Sequence, residues 1–412
     1  MIKWIKFENF HSYRDECLID FRVDKKTTDS YFDHQLNDGS KLAKVIGIFG
    51  ANGAGKSNAL RPLAFLSWFV TRSFATQESN EPLPFMPHAN AMEEPTKFEI
   101  EFCLFNDNGD YHSQFNYQLV LTQERVLSEE LKIKTSRLYS SIFSREYSET
   151  GYSLNLNKKY IPLDKKLLSN TPSNSSLISF ASRIGTDSDD DLSHLHTFEE
   201  VDYFFRNFIT NIHAIGNRRE ISSFIEAAEQ YEKYPEIFEQ AKELLKKYDL
   251  GISNIILERM PVFNEQSGEE TTKLISFFEH ENQRETFRLP IFLESSGTQK
   301  AFSLLSDIVS VLHNSGIAVL DEFDNELHPQ LTLEIIELFK NESSNPKNAQ
   351  LIFTSHSAET LKLIRKQHVY LTEKVDCESQ AWRADEIEGL KERDNLYAKY
   401  ISGALGGVPE FD

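Results

Sequence analysis

The segment Gly50-Ala-Asn-Gly-Ala-Gly-Lys-Ser57 constrains the fold of this 412-residue chain more than any other part of the sequence. An apolar run at residues 44–49 precedes it and predicts a strand, and the pattern that follows predicts a helix over residues 57–72. A strand, a glycine-rich turn and a helix, in that order, form the context that a phosphate-binding loop requires. The sequence therefore predicts an α/β fold in which a helix N-terminus holds the phosphates of a nucleotide.

Each residue type in this loop has a physical reason to be there. Glycines let consecutive backbone N–H groups turn inward around phosphate oxygens, and the helix N-terminus adds a partial positive charge. The lysine bridges the β- and γ-phosphates, and the serine that follows it is a ligand for Mg²⁺. The predicted ATP-binding residues of this segment are Gly50, Asn52, Gly53, Gly55, Lys56, Ser57 and Asn58.

A second motif, Gly316-Ile-Ala-Val-Leu-Asp-Glu322, is an apolar strand that ends in two carboxylates, the form that a Walker B motif takes. We expect Asp321 to hold Mg²⁺ through water and Glu322 to orient and deprotonate the attacking water. The alternative is that two acids after a strand only open a loop, but a phosphate-binding loop in the same chain favours catalysis. Asp324 is a further candidate for the nucleotide site, whereas we interpret His328 as structural.

The turn Leu293-Glu-Ser-Ser-Gly-Thr-Gln299 precedes a helical pattern and resembles the ABC signature sequence. A small hydroxyl residue and a glycine at a helix N-terminus let amides and the helix dipole bind a γ-phosphate. Without the P-loop, an ordinary N-cap turn would be the better interpretation. In such folds this helix points away from its own P-loop, so the sequence predicts a dimer in which each turn serves the other copy's ATP. The candidate residues are Ser296, Gly297, Thr298 and Gln299.

A histidine follows the last strand of this series, in Ile352-Phe-Thr-Ser-His356. A lone histidine is usually structural, but at this place in the motif order we expect His356 to contact the γ-phosphate. The predicted catalytic residues are Glu322, Lys56 and His356, the predicted metal ligands are Ser57 and Asp321, and the predicted cofactors are ATP and Mg²⁺.

The order of these motifs is similar to that of the SMC, RecF and OLD branch of ABC ATPases. The segment Phe7-Glu-Asn-Phe-His-Ser-Tyr13 also resembles the N-terminal hairpin of these proteins. Within that branch the chain looks most like the RloA-type ATPases, which include the ATPase subunit of the PARIS anti-phage system and lie near the Septu ATPase. Three segments carry this resemblance: Glu294-Ser-Ser-Gly-Thr-Gln299, Phe323-Asp-Asn-Glu-Leu-His-Pro329 and Tyr400-Ile-Ser-Gly-Ala-Leu-Gly-Gly-Val-Pro409. It implies ATP-dependent sensing of phage infection by a homodimer or higher homo-oligomer, together with an effector protein of the Toprim nuclease type in trans.

Charge and hydropathy exclude several other classes of protein. The formal net charge of −20 argues against a protein whose whole surface coats nucleic acid, because phosphate binding needs clustered cations. Residues 131–166 carry eight Lys or Arg against three Asp or Glu, which favours a solvated strand face but leaves a nucleic-acid contact possible. No window approaches about 18 uncharged apolar residues and the N-terminus has no signal-peptide pattern, so we expect a cytoplasmic protein that does not enter membranes.

The predicted architecture is an ABC-ATPase head with a mixed, mostly parallel sheet, an antiparallel β lobe and a helical insertion. Residues 1–175 form an N-terminal lobe with the P-loop and the antiparallel strands, for which the alternating patterns at residues 97–105 and 111–123 are the evidence. Residues 176–254 form a helical lid, and residues 255–412 form the lobe with the signature, the Walker B strand and His356.

Several points stay open at this stage. Neither Gln77 nor Gln114 is a convincing Q-loop glutamine, and His194 with His196 is a weak metal-site candidate. The 56 residues after His356, with a predicted strand at 368–372 and a helix at 385–399, are too few for a nuclease domain, so we expect any cleavage to come from another chain. Two alternatives remain: a DNA-repair or chromosome-maintenance clamp of the RecF/SMC type, and a scaffold that binds ATP with little turnover.

Overall fold

The computed structural model describes residues 1–78, 81–106, 111–161, 163–184, 196–213, 223–248, 251–263, 270–281, 285–325, 327–340 and 342–407. Its strands are β1 (Ile2–Glu8), β2 (Cys17–Asp20), β3 (Arg22–Val23), β4 (Asp33–Gln35), β5 (Lys41–Ala43), β6 (Val45–Gly50), β7 (Thr96–Phe105), β8 (Tyr111–Leu121), β9 (Val126–Lys134), β10 (Tyr139–Ser148), β11 (Gly151–Leu156), β12 (Phe208–Thr210), β13 (Ile252–Phe263), β14 (Glu270–Glu281), β15 (Thr286–Pro290), β16 (Ile317–Leu320), β17 (Gln350–Thr354), β18 (Val369–Val375) and β19 (Glu378–Arg383). Its helices are α1 (Lys56–Thr76), α2 (Lys165–Leu168), α3 (Leu177–Ile184), α4 (His196–Arg206), α5 (Phe224–Lys233), α6 (Pro235–Tyr248), α7 (Ser296–His313), α8 (Pro329–Leu338) and α9 (Leu396–Ile401).

A six-stranded sheet with the order β12-β16-β17-β6-β18-β19 forms the centre of the fold. The first five strands run parallel and β19 runs antiparallel to β18, which confirms the predicted mixed, mostly parallel sheet. Because successive side chains of a strand point to opposite faces, β6 contributes to two cores. Ile46 and Ile48 pack with α1 on one face, while Val45 and Phe49 pack with α7 and α8 on the other. Both faces are therefore covered, as parallel sheets require.

A seven-stranded antiparallel sheet with the order β11-β10-β9-β8-β7-β1-β2 packs on the α1 side. Its hairpin β1–β2 places Ile5 opposite Ile19, and its hairpin β7–β8 places Ile100 opposite Tyr117. The predicted N-terminal hairpin and the predicted antiparallel lobe are both confirmed. The predicted turn at residues 106–109 lies almost wholly outside the described residues.

The segment predicted as one helical lid, residues 176–254, divides between the two cores. Helices α3 and α4 contact α1, and β12 is an edge strand of the central sheet, paired with β16. Helices α5 and α6 instead contact α7 on the opposite face. The aspartate-rich segment at residues 187–191 and His194 lie outside the described residues. The lobe boundaries at 175 and 254 stay predictions.

The chain after α6 forms an antiparallel sheet of β13, β14 and β15, which leads directly into α7. The helix predicted over residues 385–399 is wrong: a 3-10 turn at Ala384–Glu386 is followed by α9 at Leu396–Ile401. Gly389, with φ of 81°, interrupts the helical pattern, and the Asn395 side chain starts α9 by accepting from Ala398 N. In the parts of the chain that the structure describes, no helix combines the length and the apolar character needed to cross a bilayer.

Candidate functional site

The loop between β6 and α1 has a backbone that only glycine accommodates at two of its positions. A Cβ at Gly50 would lie 2.5 Å from Thr372 O, and a Cβ at Gly55 would lie 2.7 Å from Ser379 Cβ. Gly55 is also the N-cap of α1, has φ of 107° and gives the helix no side-chain cap. The first N–H groups of α1 therefore point toward the loop without a capping side chain from the N-cap residue, as an anion-binding helix terminus requires.

Lys56 closes this loop from inside. Its Nζ donates to Gly50 O at 2.8 Å and to Ala51 O at 3.0 Å. Burial lowers the pKa of the Lys56 ammonium, and the neighbouring carboxylates, that of Glu322 most strongly, oppose this effect. The loop opens into a cleft of about 520 Å³ lined by Asn52, Gly53, Gly55, Lys56, Ser57, Asn58, Arg61, Glu322 and His356.

The two predicted metal ligands are hydrogen-bonded to each other, although 264 residues separate them in the chain: Ser57 lines the cleft, and Asp321 is buried next to it. Ser57 Oγ donates to Asp321 Oδ1 at 3.0 Å, and Thr354 Oγ1 donates to the same oxygen at 2.6 Å. Asn211 fixes the backbone of Asp321, because its side chain donates to Asp321 O and accepts from Asp321 N, both at 2.7 Å. Strands β16, β17 and β12 thus all contribute to the position of one carboxylate.

The predicted general base lies next to the histidine that we expect to contact the γ-phosphate. Glu322 Oε1 is 3.1 Å from His356 Nε2, and Glu322 Oε2 accepts from Asn325 Nδ2 at 2.9 Å. Glu322 has φ of 44°, a left-handed conformation that a non-glycine residue adopts only when its surroundings hold it there. Its N–H donates to Thr354 Oγ1 at 2.8 Å, so Thr354 contacts both acids of the motif.

Asp324 joins the loop after β16 to the loop after β17. Its Oδ2 accepts from Ser355 Oγ at 2.8 Å and from Ser357 N at 3.1 Å. Its buried Oδ1 has no hydrogen-bond partner among the described residues. A buried carboxylate oxygen in that condition is uncommon in proteins and is accounted for when a ligand or water binds beside it.

The predicted signature turn is well formed but lies apart from this cleft. Ser295 is the N-cap of α7, and its Oγ accepts from Thr298 N at 3.1 Å. Gln299 Nε2 donates to Glu294 O at 2.9 Å, while Ser296 is exposed. None of the four residues from Ser296 to Gln299 lines the cleft formed by the described residues. Within one chain, the structure therefore brings together the P-loop, both Walker B acids and His356, but not the signature.

Four site residues were missed from the sequence: Thr354, Asn211, Asn325 and Arg61. Thr354 could have been found, because it stands in the motif that ends at His356. Arg61 could also have been found, since it lies one helical turn after Ser57 on the cleft face of α1. Asn211 carries no local signal, as its contact spans 110 residues.

The two glutamines considered for a Q-loop lie elsewhere. Gln77 is at the end of α1, where its Nε2 donates to Glu81 O and Pro82 O, both at 3.0 Å. Gln114 is in β8 and donates to Glu101 Oε1 at 2.7 Å. Neither lines the cleft of the described residues.

Comparison with known proteins identifies one matching family and several solved structures of low sequence identity. Residues 45–362 match the family described as "AAA domain, putative AbiEii toxin, Type IV TA system". No curated protein matches. Among solved structures, this chain is similar to an SMC head domain from Thermotoga maritima. The two are 16% identical, the match covers 93% of this chain and 98% of the SMC head domain, and the TM-score is 0.42. The chain is also similar to an Smc head domain with a coiled coil and joint from Pyrococcus yayanosii. The two are 14% identical, the match covers 98% of this chain and 99% of that domain, and the TM-score is 0.45.

Proposed function

The chain belongs to the AbiEii-type family of AAA domains, and from this premise we propose that it is the ATP-hydrolysing subunit of an anti-phage defence complex, dimerises around ATP and controls a separate effector. One observation carries the ATPase part of this proposal. The P-loop lysine and serine, two acids after a buried parallel strand and a histidine after the next strand meet at one cleft. A phosphoryl-transfer site needs this combination, whereas a loop-opening role would not bring the five residues together.

The residues present fit ATP and Mg²⁺. The glycine backbone and the α1 N-terminus would cradle the phosphates, with Lys56 on the β- and γ-phosphates. Ser57 Oγ and Asp321 Oδ1, 3.0 Å apart, would hold the metal ion directly and through water respectively. When bound, Mg²⁺ neutralises charge that develops on the phosphate oxygens.

The chain's own residues then perform the hydrolysis. Glu322 accepts a proton from water. Its carboxylate is held in one orientation, because one oxygen contacts His356 and the other contacts Asn325. Thr354 holds Asp321 and Glu322 in fixed positions relative to each other, because its hydroxyl is hydrogen-bonded to both residues. Positioning of this kind supplies most of the catalysis in phosphoryl transfer.

The signature turn supports a dimer rather than a self-sufficient monomer. Its hydroxyl and glycine residues suit a γ-phosphate, yet no residue from Ser296 to Gln299 lines the cleft among the described residues. A second copy placed against the cleft would bring its own turn to the bound ATP. Each ATP would then be held between two chains.

The defence role rests on the resemblance to RloA-type ATPases and on the family description, which names a toxin of a toxin–antitoxin system. We test it by phage challenge of cells that carry this chain with its neighbouring genes. Plaque formation should fall in these cells and return to the level of unprotected cells with Lys56→Ala. Lys97→Ala, at an exposed lysine paired with Glu8, is the matched control and should still protect. Equal protection by Lys56→Ala and the parent would overturn the proposed role.

The effector should act in trans, which predicts that the purified chain cleaves no nucleic acid. Plasmid, single-stranded DNA and RNA, incubated with the chain, ATP and Mg²⁺ or Mn²⁺, should remain intact. A pull-down from native cells should recover the effector with the chain. Nicking that disappears in Asp321→Ala would show that the chain itself is a nuclease and would contradict this part of the proposal.

The DNA-clamp alternative would use the basic segment at residues 131–166. Two of its cations are already engaged, since Lys132 lies 2.9 Å from Glu130 and the buried Arg145 donates to Ser175 O at 2.9 Å. The clamp predicts ATP-stimulated duplex binding that weakens steeply with salt. A fluorescence-anisotropy titration at two salt concentrations separates the two functions.

A further inference from the structure

The glycine-rich turn that follows α9 packs against the first glycine of the P-loop. We call α9 together with the residues after it, as far as Gly407, the α9 strap. Gly407 is buried and has φ of 69°. A Cβ at Gly407 would lie 3.3 Å from Thr372 O and 3.7 Å from Gly50 Cα. The strap therefore touches the backbone where β6 ends and the phosphate-binding loop begins.

Tyr400 makes a second contact with the same part of the chain. Its ring packs on Phe49, with centroids 6.1 Å apart and planes at 64°. Its hydroxyl donates to Gly407 O at 3.5 Å, so the helix and the glycine end of the strap are joined. Burial raises the pKa of the Tyr400 hydroxyl, and a hydrogen bond with the Gly50 backbone opposes this effect. The strap thus follows the end of β6 with both its ring and its backbone.

The strap is also anchored away from the P-loop. Leu396 and Leu405 are buried in the core that contains Phe49. Helix α9 contacts the 3-10 turn Ala358–Lys362, which lies just after His356 in the chain. Close-packed interiors transmit strain instead of absorbing it. An atom added between the strap and the P-loop should therefore displace the loop.

We propose that the α9 strap positions the P-loop for ATP, with Tyr400 and Gly407 as its positioning residues. The strap meets the loop at Gly50, whose carbonyl oxygen accepts from Lys56 Nζ at 2.8 Å. A shift of Gly50 would move the lysine and the glycine backbone that cradle the phosphates. The inference rests on the proposed ATP site and names the part of the chain that supports it.

The strap should act on ATP binding more than on the chemical step. The base that acts on the attacking water, Glu322, is held by Thr354 and Asn325, which lie outside the strap. The glycine backbone holds phosphates in the ground state and in the transition state alike, and loss of such uniform binding raises KM with kcat unchanged. A shifted P-loop should therefore raise the KM for ATP and the dissociation constant of an ATP analogue together.

The first test compares Gly407→Ala with Gly403→Ala in the purified full chain. Gly403 has φ of 77°, but among the described residues a Cβ there would meet nothing within 4 Å. Both alanines occupy a left-handed backbone position, so both should lower the thermal unfolding midpoint. Gly407→Ala should raise the dissociation constant of a fluorescent ATP analogue at least about 10-fold, whereas Gly403→Ala should change it less than about 2-fold. Equal dissociation constants in the two variants would overturn the proposal.

The second test uses Tyr400→Phe, which keeps the ring on Phe49 and removes only the hydroxyl. Loss of this hydrogen-bonding group should raise the KM for ATP about 3- to 10-fold, while kcat changes less than about 2-fold. Tyr203→Phe makes the same change at a side chain that is 59% exposed on α4, and both constants should stay at the parent's values. A lower kcat at an unchanged KM, or no change in either, would overturn the role proposed for Tyr400.

The outcomes separate this inference from the proposed function. If the parent chain binds the ATP analogue but releases no phosphate, the proposed ATPase is wrong, and analogue binding by the two glycine variants still tests the strap. If the parent hydrolyses ATP and Gly407→Ala binds the analogue as tightly as Gly403→Ala does, the proposed function stands and the strap is overturned.

Discussion

The P-loop cleft and the signature turn are two halves of one predicted ATP site, and they are built in different ways. In the cleft, polar side chains are joined across long stretches of chain, as Ser57 is to Asp321 and Asn211 is to Asp321. At the signature turn, most bonds are local, from Ser295 to Thr298 and from Gln299 to Glu294. The cleft is assembled by the tertiary fold within one chain, whereas the turn is a capped helix end on which Ser296 is exposed.

This difference predicts which function is lost when a residue of either half of the site is replaced. Loss of one cleft residue should affect chemistry within a chain, because its partners come from several strands of that chain. Loss of a signature residue should affect only the ATP bound by the other copy. The variants below test that division, in order of decreasing expected effect.

The largest effect is expected from Glu322→Gln, which keeps the side chain's shape and removes its basicity. Turnover should fall by roughly 10²- to 10⁴-fold while ATP affinity stays nearly the same. Phosphate release and ATP-analogue binding measure the two quantities, and the ATP-bound dimer should accumulate. Unchanged phosphate release would remove Glu322 from the role of base.

The mixing of Gly297→Glu with Lys56→Ala tests whether the site is shared. Turnover of each variant alone should fall strongly, since Gly297→Glu places bulk and negative charge against a partner's γ-phosphate and Lys56→Ala impairs its own P-loop. A mixed dimer has one site with both defects and one intact site, so it should recover about half of the wild-type turnover. No recovery in a verified mixed dimer would contradict independently competent shared sites.

A smaller effect is expected from Thr354→Val, which removes one hydroxyl from the buried end of β17. Asp321 loses a hydrogen bond and Glu322 N–H loses its acceptor, so turnover should fall about 10- to 100-fold through misplacement of the two acids. Stability should fall by about 1–3 kcal/mol, as for a buried donor left unpaired. Thr354→Ser keeps the hydroxyl and should restore turnover; equal activity of the Val and Ser variants would remove Thr354 from the positioning role.

The smallest effect is expected at His280, which contacts the signature turn without reaching any nucleotide. His280→Ala removes the contact with Glu294 and should lower turnover about 3- to 10-fold, with ATP affinity of the monomer unchanged. His280→Gln retains a hydrogen-bonding group and should recover part of the loss. A change in monomer ATP affinity would place His280 in the cleft's function instead.

Much of the fold follows from patterns that lie within a few residues of one another. The strand, loop and helix around Lys56, the buried strand before Asp321 and the hairpin of β7 and β8 are all visible in the sequence, because each depends on local periodicity and on glycine geometry. The helix expected at residues 385–399 is wrong, since a helical pattern of apolar residues does not reveal that Gly389 turns the chain and Asn395 starts a new helix.

The sequence alone is enough to predict which residues carry chemistry: Lys56, Ser57, Asp321, Glu322 and His356 are recognisable because their residue types and spacing satisfy the needs of phosphate and Mg²⁺. What holds them in place depends on contacts that form only in the folded chain. Asn211 reaches Asp321 because β12 pairs with β16, and Thr354 reaches both acids because β17 lies beside β16. Such contacts depend on the order of strands in the sheet, which arises when the whole chain buries its apolar faces and which no local pattern encodes.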